Sequence, residues 1–146
     1  RKAIILWRSR LWYYMGVTVI RQSYVIHSAA SKVWDALTNS ATITKWTESP
    51  VKMDAKAGTK FKLWGGDVWG KNLKVQPKKQ LVQEWYDKRW KKPSQVTISL
   101  SEERGITYLD MLQENVPDGD RDKINKGWKD FYFGPLKNFL EKSTGV

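Results

Sequence analysis

The chain has 146 residues, of which 40% are hydrophobic and 28% charged, a balance typical of one globular domain with a real core. It contains no cysteine, which excludes disulfides and thiol catalysis and fits a reducing compartment, so we expect a cytoplasmic protein. No apolar run approaches the roughly 20 residues of a membrane-spanning helix. The net charge of +11 is compatible with an acidic protein, nucleic acid or acidic lipid partner, and also with a basic protein that binds none of them.

The first residues differ in composition from the rest of the chain. Residues 1–14 contain four basic residues and no acidic one, and Met15 with Gly16 resembles a natural start. We therefore expect residues 1–16 to be a disordered tail that is either expression-derived or an upstream extension. A basic, aromatic segment at a membrane surface is the alternative interpretation. We expect residues 17–142 to form a single domain.

The first part of this domain predicts one strand followed by two short helices. Residues 17–27 alternate in part and are rich in Val, Ile and Tyr, which favours a strand. Ser28 can cap a helix over 29–38, and Ser40 can cap a second helix over 41–46. The middle of the chain then alternates between apolar and polar residues, with turn residues between the segments. It predicts five further strands, over 59–64, 68–76, 81–88, 94–101 and 106–114.

Residues 118–142 have the spacing of a long amphipathic helix. Asp118 or Asp120 can cap its first amides, and the missing N–H of Pro135 predicts a bend near Gly134. With helices at the ends and strands in the middle, the chain predicts an α+β fold in which a curved antiparallel sheet of about six strands grips the C-terminal helix. At 100° per residue, the apolar face of that helix consists of Ile124, Trp128, Phe131, Tyr132, Pro135, Leu136 and Phe139.

The chain offers few groups for catalysis or for binding a metal. His27 is the single histidine, and no nucleophile-elbow pattern is present, so we expect no metal, no cofactor and no enzymatic activity. The glycines at 65, 66 and 70 indicate a hairpin turn, because no helix follows them as in a dinucleotide site. Glu84 or Asp110 could act as a general base if it faced a cavity, although such residues more often lie on the exposed face of a sheet.

The aromatic content is more informative. The chain has nine tryptophans, and seven of them follow the tail. A small sheet cannot pack all of these without gaps or partial exposure, which predicts an apolar cavity between the sheet and the terminal helix. A well-packed core without a cavity is the alternative, and exposed tryptophans would suit a protein interface. The residues predicted to line this core or cavity are Trp46, Phe61, Leu63, Trp85, Leu100, Trp128, Phe131 and Pro135.

A basic cluster follows the predicted strand at 81–88, and we expect Lys78 and Lys79 on a neighbouring loop end. Lysines beside tryptophan can mark single-stranded nucleic-acid binding, but Glu84 and Asp87 weaken that signal, and we expect no nucleic-acid partner. We prefer an acidic protein partner for this cluster, with an ordinary solvated loop as the alternative. The residues predicted to bind such a partner are Lys88, Arg89, Trp90, Lys91 and Lys92.

The predicted order of elements resembles the helix-grip fold of the START-like (SRPBCC) superfamily. Four segments, 31–46, 58–75, 80–90 and 113–140, together resemble the C-terminal domain of the activator of heat-shock protein 90 ATPase, the Aha family. The more specific features are the Gly-Gly-x-Val-x-Gly pattern at 65–70 and the Val-Pro…Gly-Trp…Tyr-Phe pattern at 116–133. The resemblance covers about residues 17–142.

The resemblance implies a co-chaperone-type module that docks on a heat-shock protein 90-type chaperone. In the eukaryotic activator this domain helps to engage the chaperone's N-terminal nucleotide-binding region. The activator's other domain carries the motif tied to ATPase stimulation, and we find no stretch here that resembles it. The alternative function, from a different class, is a carrier or sensor that holds a hydrophobic small molecule, lipid or polyketide-like, in a START-like cavity.

Overall fold

A computed structural model describes residues 16–143, so the predicted tail at 1–16 lies outside the described residues except for Gly16. The strands are β1 (Val17–Ile26), β2 (Lys60–Leu63), β3 (Val68–Gln76), β4 (Gln80–Asp87), β5 (Ser94–Glu103) and β6 (Ile106–Pro117). Two short helices, α1 (Ala30–Thr38) and α2 (Ser40–Thr47), follow β1. The terminal helix comprises α3 (Arg121–Gly127), a π-helical turn (Trp128–Phe133) and α4 (Gly134–Ser143).

The six strands form one antiparallel sheet in the order β1-β6-β5-β4-β3-β2. Side chains alternate between a buried inner face and a more exposed outer face, as on β5, where Val96, Ile98 and Leu100 are buried. The terminal helix, α1 and α2 cover the inner face of the curved sheet, and the core lies between these two layers. The predicted α+β helix-grip architecture is therefore confirmed.

The helix caps differ from the prediction. Asn39, not Ser40, caps α2, because its side-chain oxygen accepts a hydrogen bond from the Ala41 N–H at 3.0 Å. Ser40 instead bonds both backbone groups of Met53, which ties α2 to the segment before β2. Ser28 makes no cap, and its buried hydroxyl has no hydrogen-bond partner within residues 16–143. These corrections move the boundaries by a residue and leave the elements unchanged.

The prediction that Phe131 is buried is wrong, because its side chain is 65% exposed. The reason is the π-helical turn, in which the Gly134 N–H donates to the Lys129 carbonyl five residues earlier. The wider turn accommodates one more residue than an α-helical turn, so the buried face advances along the sequence. Phe133 and Leu140 are buried in its place, while Pro135 is half-buried. The irregularity expected near Pro135 thus takes the form of a π turn just before it.

Candidate functional site

A cavity of about 120 Å³ lies between β4, β6 and the terminal helix. Its walls are mainly aromatic, with Trp85 from β4 and Trp128 and Tyr132 from the π turn. Trp64, Tyr86 and Trp90 also line it, and Gln113 and Asp87 provide polar groups. The position agrees with the predicted gap between sheet and helix.

Tyr132 lies at the centre of this aromatic cluster. Its ring centroid is 4.9 Å from that of Trp128, 5.0 Å from Trp46, 5.9 Å from Trp85 and 6.4 Å from Trp64. All four contacts are edge-to-face, the arrangement that aromatic quadrupoles favour. Burial raises the pKa of the Tyr132 hydroxyl, which therefore stays protonated at neutral pH.

Buried amide side chains connect the aromatic cluster to the sheet. The Trp128 Nε1–H donates to Gln113 Oε1 at 2.6 Å, and Gln113 Nε2 donates in turn to Ser94 Oγ at 2.9 Å. In a second hydrogen-bond network of the same sheet, the Trp85 Nε1–H donates to Gln83 Oε1 at 2.8 Å. The indole N–H groups are thereby satisfied inside the protein, and each tryptophan is held in one orientation.

The sequence analysis did not single out these polar residues. The signal was available, since Gln83 alternates with Leu81 and Trp85, and Gln113 alternates with Met111 on a strand whose inner face is apolar. A glutamine at such a position must bond another buried group, and the nearby tryptophans are the donors that the chain supplies.

Gly70 permits the close packing of β2 against β3 beside the cavity. A Cβ atom at this position would lie 1.9 Å from the Glu84 carbonyl oxygen and 2.5 Å from Cζ of Phe61. The absence of a side chain lets the Phe61 ring lie over the strand, where its centroid is 5.7 Å from that of Trp85. This close approach explains a glycine within the 65–70 pattern.

Two carboxylates hold the β4–β5 loop against the mouth of the cavity. Asp87 Oδ1 accepts from the backbone N–H of Arg89 at 2.9 Å and from its Nε at 3.2 Å. Asp120 Oδ2 accepts from the Trp90 Nε1–H at 3.0 Å. Partial burial acts to raise the pKa of Asp87, but the hydrogen bonds and charge of Arg89, with the charge of Lys123, outweigh it and lower that pKa. Asp87 is therefore ionised at neutral pH.

Of the eight residues predicted for the core or cavity, only Trp85 and Trp128 line this cavity. Pro135 is half-buried and, as noted, Phe131 is exposed. The other four predicted residues are buried in the core around the cavity, and they are Trp46, Phe61, Leu63 and Leu100.

The predicted partner-binding cluster divides into two groups. Arg89 and Trp90 are engaged with Asp87 and Asp120, whereas the three lysines of the cluster, at 88, 91 and 92, are exposed. The expectation that Lys78 and Lys79 lie on a neighbouring loop end is wrong. They precede β4 and the cluster follows it, so the two groups lie at opposite ends of an eight-residue strand.

The carboxylates considered as general bases do not face the cavity. Glu84 and Asp110 lie on the outer face of the sheet, and Asp110 accepts a hydrogen bond from the Ser23 hydroxyl. Within residues 16–143, no group of three or more His, Cys, Asp or Glu side chains could hold a metal ion. No helix in the same range is long and apolar enough to cross a membrane.

Comparison with known proteins identifies the family to which the sequence belongs. The sequence profile described as "Activator of Hsp90 ATPase homolog 1-like protein" matches residues 27–141, which is most of the chain. The chain belongs to this family. The match begins at the end of β1 and runs through the cavity-lining strands to the end of the terminal helix.

Individual relatives are distant and longer. The activator of 90 kDa heat shock protein ATPase homolog from Dictyostelium discoideum is 28% identical over 116 residues, which are 77% of this chain and 30% of the relative. The human homolog 1 is 26% identical over 112 residues, 75% of this chain and 33% of the relative. The chain thus spans about a third of the length of the curated relatives that it matches.

A solved structure shows the same fold over nearly its whole length. The crystal structure of an HSP90 activator from Plasmodium falciparum superposes with a TM-score of 0.76 and 22% identity, covering 87% of this chain and 96% of that one. At this identity the likeness establishes the architecture alone.

Proposed function

We propose that this chain is a co-chaperone-type module that binds a heat-shock protein 90-type chaperone in the cytoplasm. The observation that carries the proposal is the family match over residues 27–141, which covers all but the first strand of the described fold. The named relatives are activators of the 90 kDa heat shock protein ATPase. The proposal is restricted to docking, because the chain aligns with only 30% to 33% of those relatives.

The site supports binding without chemistry, which is the second part of the proposal. A general acid or base works best when its pKa lies near the operating pH. The pKa of Tyr132 is raised and that of Asp87 is lowered, so both move away from neutrality. His27 does not line the cavity but contacts Glu141 of the terminal helix at 3.0 Å. The directions of these pKa shifts and the position of His27 favour a binding protein over an enzyme.

The dimensions of the cavity weigh against the carrier hypothesis. Pockets for drug-sized ligands are typically about 300–1,000 Å³, whereas this cavity measures about 120 Å³. The aromatic side chains around Tyr132 occupy the space that a lipid or polyketide would need. A ligand of that size would have to separate the terminal helix from the sheet and break the Trp128–Gln113 hydrogen bond.

The experiment is a titration of the purified chain against the Hsp90-type chaperone of the same organism. Calorimetry measures the binding, and the rate of ATP hydrolysis measures any stimulation. We expect saturable binding, with ATP turnover stimulated weakly or not at all. The absence of binding at a chain concentration of about 100 µM, which would reveal even weak contacts, refutes the docking proposal. Native mass spectrometry of the chain isolated from its own organism tests the alternative. A stoichiometric hydrophobic molecule in that spectrum would favour the carrier.

A further inference from the structure

The outer face of the sheet carries a cluster of lysines at the β2 edge. Lys60 and Lys62 lie on β2, and Lys71 and Lys74 lie on β3 at outward-facing register positions, opposite Lys60 and Val82. Lys52 pairs with Lys62 in an isolated bridge beyond β2 and so shares this face. All five side chains are exposed, and we call them together the basic sheet face.

An aromatic pair lies beside these lysines on the same face. Trp69 of β3 lies opposite Tyr86 of β4, and their ring planes are within 4° of parallel with centroids 6.0 Å apart. On the other side, Trp69 lies opposite Lys62. Both rings are half-buried, although they project from the sheet away from the core. Tryptophan and tyrosine surrounded by charged residues are typical anchors of protein interfaces.

The charges of this face are not neutralised by the protein. Among residues 16–143, none of the five lysines forms a salt bridge, and Glu84, opposite Lys71, is the one carboxylate at a facing register position on β2, β3 and β4. Five lysines against one glutamate give a local charge of +4. In the β4–β5 loop Arg89 is already engaged by Asp87 and Asp120. The basic sheet face therefore presents five lysines outside any salt bridge among the described residues, against three in the loop, and is the better site for an anionic partner.

We propose that the basic sheet face is the surface on which an acidic polypeptide segment of the partner docks. This inference rests on the proposed function and assigns its interface. Lys60 and Lys62 are two residues apart on one strand, which separates their Cα atoms by roughly 6.6–6.8 Å. Alternate acidic side chains of an extended segment have the same repeat. Trp69 and Tyr86 then contact the apolar parts of that segment, while the lysines steer its approach.

The stacking of the aromatic pair favours a polypeptide over single-stranded nucleic acid. Trp69 and Tyr86 are stacked parallel to each other, whereas bases need aromatic faces that are free to receive them.

The test compares two triple variants with the same change of net charge. The face variant is Lys60→Glu, Lys62→Glu and Lys71→Glu. The control carries Lys32→Glu, Lys126→Glu and Lys129→Glu, three exposed lysines on the helical side of the molecule. Amide spectra and melting temperatures establish that both fold. Each is titrated at low and high salt with a fluorescein-labelled peptide of alternating Glu and Ser, with the purified chaperone and with an oligothymidine.

We expect the face variant to bind the peptide and the chaperone at least about tenfold more weakly at low salt, mainly through a slower association rate, with the control within about twofold of wild type. Equal losses in both variants would mean that net charge alone drives binding and would overturn the proposal. Tighter binding of oligothymidine than of the peptide would overturn it as well.

The two proposals fail in different ways. If the chaperone binds the face variant as it binds wild type, the basic sheet face is not the interface although the docking function stands. If wild type does not bind the chaperone, the docking function fails, and selective loss of the acidic peptide by the face variant still supports the surface. Trp69→Ala adds a second check that leaves charge unchanged. It should weaken chaperone binding without altering the salt dependence, whereas binding of the Glu-Ser peptide, which has no apolar side chain, should change little.

Discussion

The π turn predicts both the sign and the size of the change in stability that an alanine substitution at Gly134 causes. Gly134 has ordinary helical angles, φ −61° and ψ −56°, so replacing it with alanine in a regular helix would stabilise the protein by roughly 0.5–1 kcal/mol. In the π turn, however, a Cβ atom at Gly134 would lie 2.3 Å from the Lys129 carbonyl oxygen. That contact is with backbone, which cannot rotate away. The turn must open or shift, at a cost of about 1–3 kcal/mol.

The net expectation is that Gly134→Ala lowers the free energy of unfolding by roughly 0.5–2 kcal/mol. Gly127→Ala is the matched control, because Gly127 is also helical, one residue before the π turn, and a Cβ there meets no atom within 4 Å. We expect that variant to be more stable by up to about 1 kcal/mol. The two substitutions are chemically identical, so an opposite sign isolates the geometry of the turn.

Urea unfolding followed by tryptophan fluorescence measures both values, with the slope m checked for constancy between variants. If Gly134→Ala stabilises the protein as much as Gly127→Ala does, the terminal helix is regular at this point. The explanation of why Phe131 is exposed and Phe133 is buried would then be refuted.

Two further predictions concern the core and the response to acid. Trp128→Ala should lower the free energy of unfolding by about 3–5 kcal/mol, the usual range for a core aromatic. Phe131→Ala on the same helix should change it by less than about 0.5 kcal/mol, because that ring is 65% exposed. If denaturant curves show a loss below about 1 kcal/mol for Trp128→Ala, the terminal helix is not packed on the sheet through this residue. Partial burial acts to raise the pKa of Glu141, but hydrogen bonds from the His27 backbone and ring, with the charges of Lys137 and His27, outweigh it and lower that pKa. Its stabilisation is therefore present above the unfolded-state pKa and lost as pH falls through the folded-state pKa, so the stability advantage of wild type over Glu141→Gln should shrink on acidification. An advantage that is constant with pH would exclude this linkage.

The sequence predicted the elements because their local signals agree with the tertiary structure. On β5, residues at 96, 98 and 100 alternate with polar residues, and the strand forms with that face inward. The terminal helix shows where local periodicity fails. A fixed 100° per residue cannot include a π turn, which forms here because Gly134 allows a close carbonyl contact and Pro135 has no N–H to donate.

The candidate site was less predictable than the fold, because it depends on register. The expectation that Lys78 lies near Lys88 conflicted with the strand predicted over 81–88, and β4 does separate the two residues. Lys52, Lys62 and Trp69 are separated in sequence and share one face solely through the bridge and the β2–β3 ladder. The basic cluster at 88–92 is continuous in sequence and was therefore easy to find, whereas the basic sheet face was not.

The two faces of the sheet have separate physical roles, and this separation gives the docking proposal a consequence for stability. The inner face satisfies its own polar groups, as in the Trp128–Gln113 hydrogen bond, and leaves a cavity of only about 120 Å³. The outer face carries the basic sheet face, whose lysines contribute no salt bridge among the described residues. Reversing those lysines should therefore weaken docking and lower the unfolding free energy by no more than about 1 kcal/mol, because exposed charges contribute little to stability and the reversal at Lys71 adds one like-charge pair with Glu84. Trp128→Phe should have the opposite profile. It keeps an aromatic ring but leaves Gln113 Oε1 without its donor, at a cost of about 1–3 kcal/mol, and at temperatures where the fold persists it should bind the chaperone as wild type does. If Trp128→Phe instead weakened docking as strongly as the face variant, the partner would have to contact the helical side, and the basic sheet face would lose its assignment.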